Sequence, residues 1–101
     1  MIALGNAYTL AGQYGDGAAT FRRLLAIAPD NALAYENLGM AQLQAKDVKS
    51  AEASLRRAID IDPSLAGAYT ALGVVLATTN RTPEAIEAWK RAVALLSLIH
   101  I

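Results

Sequence analysis

The sequence predicts an all-α protein built as a tandem array of helix hairpins, on three observations. Leu38-Gly39 recurs 34 residues earlier as Leu4-Gly5 and 34 residues later as Leu72-Gly73, and a fixed period of that size is the mark of stacked supersecondary units. Within each unit the apolar positions return every three or four residues, as at Leu55, Ala58 and Ile59, with no sustained alternation, which is helical periodicity. Glycine, asparagine and proline then punctuate the units at matching places, dividing each into two helices and separating it from the next.

Composition narrows the function. The chain has 101 residues, 54% of them hydrophobic, enough for one domain with a modest core. Nine basic and nine acidic residues cancel, so no overall field draws nucleic acid or an anionic membrane, and neither is expected as a partner. The absence of cysteine rules out disulfides, thiolate zinc sites and a cysteine nucleophile. Apolar runs such as Ala92 to Leu96 fall far short of the ~20 residues that cross a bilayer. Met-Ile-Ala-Leu at the start lacks a basic leader and lies on the repeat register, so it reads as repeat and not as a signal peptide. Cytoplasm and periplasm both fit such a chain.

The helices are expected at 1 to 12, 15 to 28, 32 to 45, 48 to 61, 66 to 79 and 83 to 96. Gly12 ends the first because glycine enters the left-handed region without a Cβ clash, and Asn80 suits the same corner of the third unit. Lys46-Asp47 fills that corner in the second. Gly15 and Gly17 weaken the start of the second helix, which is expected to fray there. Thr82-Pro83-Glu84 reads as a hydroxyl cap, a proline at the first helical position and a carboxylate in the first turn. Pro29-Asp30-Asn31 and Asp62-Pro63-Ser64 end the second helices of their units. Gly39, Ala51 and Ala58 mark close helix approach, with Tyr35 and Leu55 filling the gaps between. One buried Leu- or Phe-sized side chain contributes ~1.5 to 3 kcal/mol, too little for a lone hairpin to offset its ordering entropy, so each depends on its neighbours.

Tyr35-x2-Leu38-Gly39, followed by Ala51-x3-Leu55, Ala58 and Pro63, resembles the tetratricopeptide repeat. The first unit carries Met1, Leu4-Gly5, Tyr8, Phe21 and Pro29, with Gly17 and Leu24 at usually small positions; the third carries Tyr69, Leu72-Gly73, Ala85, Trp89 and Ala92. Gln42 and Leu76 depart from the tyrosine kept as Tyr8. The resemblance implies a right-handed α-solenoid of three stacked antiparallel helix hairpins whose first helices line a concave groove for peptides or proteins. The repeat domain is assigned to 1–95, in units of about 1–31, 32–65 and 66–95. Leu-Ser-Leu-Ile-His-Ile at 96–101 leaves the repeat pattern and resembles the translation of a sequencing-library adapter, so it is read as a non-native tail. Met1 holds the slot of a mid-helix aromatic, and the first helix is expected to lack its opening. Array ends without a polar capping helix expose apolar surface and imply self-association.

Carried onto this register, the groove is expected to use Asn6, Leu33, Glu36, Asn37, Met40, Leu43, Gln44, Thr70 and Val74, with Ile2, Leu10, Ala71 and Thr78 in line with them. Asn6 and Asn37 can each donate to and accept from a peptide backbone, and Met40 and Leu43 offer adaptable apolar contact, although packing is an equally good role for those two. Part of the family clamps a C-terminal carboxylate with two asparagines and three basic residues. Asn6 and Asn37 match the asparagines, but Ile2, Gly67 and Ala71 stand where the cations belong, so that clamp is not expected. Arg22-Arg23, Arg56-Arg57 and Lys90-Arg91 form a periodic basic stripe, offset by Glu52 four residues before Arg56 and Glu87 four before Arg91. His100 is the lone histidine and lies in the tail, Asp60 and Asp62 point to different faces, and no phosphate-binding glycine loop is present. A noncatalytic protein-interaction scaffold without cofactors or metals is therefore the leading reading; the alternative is the C-terminal tail of a larger bacterial enzyme such as a sulfatase-like hydrolase.

Overall fold

The computed structural model describes residues 1–99, which form six helices: α1 (Ile2–Leu10), α2 (Tyr14–Ile27), α3 (Ala32–Gln44), α4 (Val48–Ile61), α5 (Ala66–Thr78) and α6 (Thr82–Ile99). His100, assigned to the tail above, lies outside the described residues. Each odd-numbered helix packs on the even-numbered helix that follows, and α2 and α4 pack in turn on the next odd helix. First helices also touch along the stack, α1 on α3 and α3 on α5, whereas α2, α4 and α6 do not approach one another among the described residues. The stack is thus tighter on its first-helix side, which makes that side the inside of the curve.

All three hairpin corners have the same construction. Gly12, Lys46 and Asn80 adopt left-handed φ values of 80°, 67° and 61°. At each corner two amides close the helix: Gly12 N and Gln13 N donate to the Thr9 and Tyr8 carbonyls at 3.1 and 2.8 Å, and Lys46 N and Asp47 N to those of Leu43 and Gln42 at 3.0 and 2.9 Å. Asn80 N and Arg81 N repeat this on Ala77 and Leu76 at 3.2 and 2.8 Å. This is a Schellman cap, and it satisfies carbonyls that would otherwise be orphaned at the helix end. The residue after it begins the next helix: Asp47 caps α4 by accepting from Ser50 N at 3.4 Å. At the other connections Asn31 accepts from Ala34 N at 3.0 Å, and Asp62 Oδ1 accepts from Ser64 N at 3.0 Å.

Small-to-large interlocking holds each hairpin. Gly5, Gly39 and Gly73 of the first helices face Phe21, Leu55 and Trp89 of the second; a Cβ on Gly39 would lie 2.7 Å from Leu55 Cγ, and one on Gly73 would run into the Trp89 indole. Trp89 also donates its ring N–H to the Thr70 carbonyl at 3.1 Å, which anchors the same edge of the ring that lies against Gly73. Phe21 is buried with Ala18, Leu38 and Ala41, and Leu55 with Ala51, Leu72 and Val75, so each core spans two hairpins. Gln42 accepts from the Ser54 hydroxyl at 2.7 Å inside the second hairpin. Leu76 and Ala88 take the corresponding places in the third, where the pair is replaced by apolar packing.

Four expectations are corrected. α2 does not fray at its glycines: it starts at Tyr14 and contains both, and Gly17 is buried where a Cβ would meet the Thr9 hydroxyl at 2.5 Å and the Gly5 carbonyl at 3.0 Å. Absence of a side chain lets α1 and α2 close together there. Thr82 is the first residue of α6 and not its cap; Arg81 fills the cap slot, its carbonyl accepting from Ala85 N at 2.9 Å. Glu87 pairs with Lys90, three residues on, at 3.6 Å, and not with Arg91. Finally, α6 runs to Ile99, past the expected helix end at 96, because Ser97 stands where Pro29 and Pro63 follow the other second helices.

Candidate functional site

The inner curve is the surface the sequence assigned to ligand binding. On α3, Leu33, Asn37, Met40 and Gln44 follow helical spacing along one stripe; Leu33, Met40 and Gln44 are exposed and Asn37 is half-buried. On α5 Gly67 and Val74 stand at the places of Leu33 and Met40 and are exposed, as is Thr70 beside them, whereas Ala71, at the place of Asn37, is buried; on α1 the stripe includes Asn6, half-buried. Asn6, Met40 and Val74 occupy the same place in successive hairpins, and with Leu33 and Asn37 they give an amide-flanked apolar row across the stack. Neither Asn6 nor Asn37 spends its side-chain amide on an internal hydrogen bond among the described residues. Thr70 does spend its hydroxyl, on the Ala66 carbonyl at 3.1 Å, which leaves its methyl as the simpler contact.

Two assigned residues are placed differently from the rest. Leu43 is partly buried and packs against the core of the second and third hairpins, set back from the exposed row. Glu36 is buried in the seam between α3 and α5, its carboxylate seated beside Gly67, where a side chain would have to push the end of Glu36 aside. Desolvation raises its pKa above the ordinary carboxylate value. Gln44 is exposed at the far end of α3, where it lines a cleft with Gln13, Tyr14, Asp16 and Lys46. The seam was not legible in the sequence beforehand; its one signal is Gly67 standing where the second unit has Leu33.

At the positions where the clamp needs cations, Ile2 packs against the first core, Ala71 is buried and Gly67 is exposed with the Glu36 carboxylate beside it. The inner face therefore carries a partly desolvated carboxylate where the clamp would hold positive charge. On the outer side, Arg56 Nε donates to Glu52 at 2.9 Å, and Arg81 grips the same carboxylate with both terminal nitrogens. These bonds, Arg81 first, pull Glu52 down to about 2. Arg57 lies over the Tyr35 ring at 5.9 Å. Part of the periodic basic stripe is thus consumed internally. Among the described residues no group of three or more potential ligands could hold a metal ion, and no helix is long and apolar enough to cross a membrane.

Comparison with known proteins agrees with this geometry. The tetratricopeptide repeat family model matches residues 2–66. The second tetratricopeptide domain of Spaghetti (RPAP3), solved bound to an HSP90 peptide of sequence SRMEEVD, is 26% identical with a TM-score of 0.89 over 93% of this chain and 87% of that one. A crystal structure of MamA is 28% identical with a TM-score of 0.86, covering 93% of this chain and 55% of that one. MamA from Desulfovibrio magneticus RS-1, at 22% identity, a TM-score of 0.84 and coverage of 92% and 52%, shows the shared fold alone. The chain spans about half the length of the MamA chains it matches. No curated protein matches it. With 34-residue units, interlocked helix pairs and three matching corners, the chain belongs to the tetratricopeptide repeat family, as a right-handed α-solenoid of three stacked antiparallel helix hairpins.

Proposed function

We propose that the chain is a noncatalytic protein-interaction module that holds an extended peptide segment, free or part of a larger protein, along the inner face of its first helices. The observation that carries this reading is the row formed by Leu33, Asn37, Met40 and Val74, apolar side chains beside an amide with no internal partner. Apolar contacts supply the affinity, and the amides hold the peptide backbone whatever its side chains. The RPAP3 domain, bound to its peptide, supports binding of the same kind on the same fold. Its peptide is acidic, however, and here Glu36 lies on the inner face with Ile2, Gly67 and Ala71 at the clamp positions. The preferred ligand is accordingly apolar and uncharged or cationic, because an anion would meet an uncompensated carboxylate.

Selection of peptides from a displayed random library tests this directly. Selected peptides should be rich in apolar residues and poor in acidic ones, and should bind the Asn37→Ala, Met40→Ala double variant at least 10-fold more weakly, at unchanged far-UV circular dichroism. Equal affinity for the two proteins would exclude the groove.

A further inference from the structure

We infer that Glu36 is the anchor of the inner row and receives the ammonium group of one lysine side chain in the bound segment. The inference rests on the groove reading above and adds to it the side chain that the groove selects. α1, α3 and α5 contain one charged side chain between them, and it is Glu36. Every other charged side chain lies at a corner, on a connection between hairpins or on a second helix. Glu36 belongs to the middle hairpin, with α1 on one side of α3 and α5 on the other, so the neighbours that shape the site are all in this chain. The carboxylate is 8% exposed and unpaired: among the described residues it enters no ion pair, and desolvation is the one influence on its pKa, so no cation of the chain bears on it. A carboxylate withdrawn from water without a partner is a standing cost to the fold. The first turn of α5 does not remove that cost, because a helix end supplies only partial charge and none of its amides is bonded to Glu36 among the described residues. An arriving cation would remove it, and would be held more strongly than at a fully hydrated carboxylate.

The way in is at Gly67. That residue is exposed, and a Cβ built on it would run into Oε1 of Glu36, with Oε2 further back at 3.8 Å. The second unit has Leu33 at this place, so the missing side chain of the third leaves a notch one side chain wide that ends on a single carboxylate oxygen. Such a notch suits the compact ammonium of lysine better than the planar guanidinium of arginine, whose two parallel bonds call for both oxygens. Leu33 and Met40, one turn before and one turn after Glu36 on the same face of α3, are exposed and offer cover for the lysine methylenes. The equivalents of Glu36 in the neighbouring hairpins, Ile2 and Thr70, carry no charge. The groove therefore calls for one cation set among apolar residues, and not for a basic run.

The test uses peptides selected on the wild-type chain from a displayed random library, then synthesised and measured by titration calorimetry. They should share one lysine flanked by apolar residues. Replacing that lysine with norleucine, which keeps the stem and removes the charge, should weaken binding to the wild type by about 10-fold or more, and binding to the isosteric Glu36→Gln variant by less than about 2-fold. Gly67→Ala, whose methyl occupies the notch and pushes the end of Glu36 aside, should reduce the same lysine preference, and it carries the test should Glu36→Gln fail to fold by circular dichroism. Two failures are distinguishable. Peptides that lose affinity for the Asn37→Ala, Met40→Ala double variant but show no shared lysine, or the same norleucine penalty with Glu36→Gln as with wild type, overturn this inference and leave the groove standing. Peptides indifferent to Asn37 and Met40 overturn the groove and this inference with it.

Discussion

Lys46 carries a left-handed backbone at a corner where the first hairpin uses glycine and the third asparagine. For a residue with a Cβ this conformation costs about 1–2 kcal/mol, part of which glycine returns as greater freedom in the unfolded chain. Lys46→Gly should therefore raise stability by about 0.5–1 kcal/mol, read as an upward shift of the thermal midpoint. An unchanged or lower midpoint would mean that the lysine side chain makes a compensating contact. Gly39 presents the reverse case. In an exposed helix Gly→Ala gains up to about 1 kcal/mol, but here the new methyl would stand 2.7 Å from Leu55 Cγ and 3.3 Å from the Ala51 carbonyl, the latter on backbone that cannot step aside. Gly39→Ala should cost about 1–3 kcal/mol in urea unfolding. The corner at Gly12 and the narrow place at Gly39 were both legible from residue type. The burial of Gly17 was not, because in a lone sequence a glycine in a first turn looks like a flaw until the helix facing it is known.

Two carboxylates join helices of neighbouring hairpins, and their pH signs are opposite. Glu52 on α4 is held by Arg81, at the corner between α5 and α6, and by Arg56. Its folded pKa of about 2 lies below the ordinary 4.5, so between those values the unfolded chain binds more protons. The stabilisation is complete above about pH 4.5 and is lost as pH falls towards 2. Glu52→Gln should lower the thermal midpoint at pH 7 by a few degrees, with the gap from wild type closing across that interval; a gap independent of pH would show that charge is not what Glu52 contributes. Glu36, buried between α3 and α5, is raised by desolvation, so the folded chain binds more protons and stability declines as pH climbs through the raised value. Glu36→Gln should raise the midpoint at pH 7 and have no effect well below pH 4.5. The pairing of Glu52 with Arg56 was visible as a four-residue spacing, whereas Arg81 stands 29 residues away and is joined only by the stacking. Helix positions were legible to within a few residues because punctuation repeats in each unit. The run of α6 to Ile99 was missed, since departure from the repeat pattern was read as the end of the helix when only the missing proline mattered.

Across the stack, one junction does two things: it buries the alternating cores and it holds the first helices close enough to form a continuous inner row. Periodicity made the array legible; that its first helices line the inside was implied by the resemblance to the tetratricopeptide repeat, and the candidates for the row were carried onto this register from it. Which of those residues turn into a seam did not follow, because Glu36 and Leu43 are sorted by the size of their neighbours on the next hairpin, at Gly67 and in the shared core. The decisive measurement is an amide chemical-shift map of the labelled chain titrated with a library-selected peptide. Perturbations should cluster at Asn6, Leu33, Asn37, Met40 and Val74, along the inside of the curve. Perturbations confined to α2, α4 and α6, or to the exposed face around Trp89, would contradict the assignment of the inner row as the binding surface.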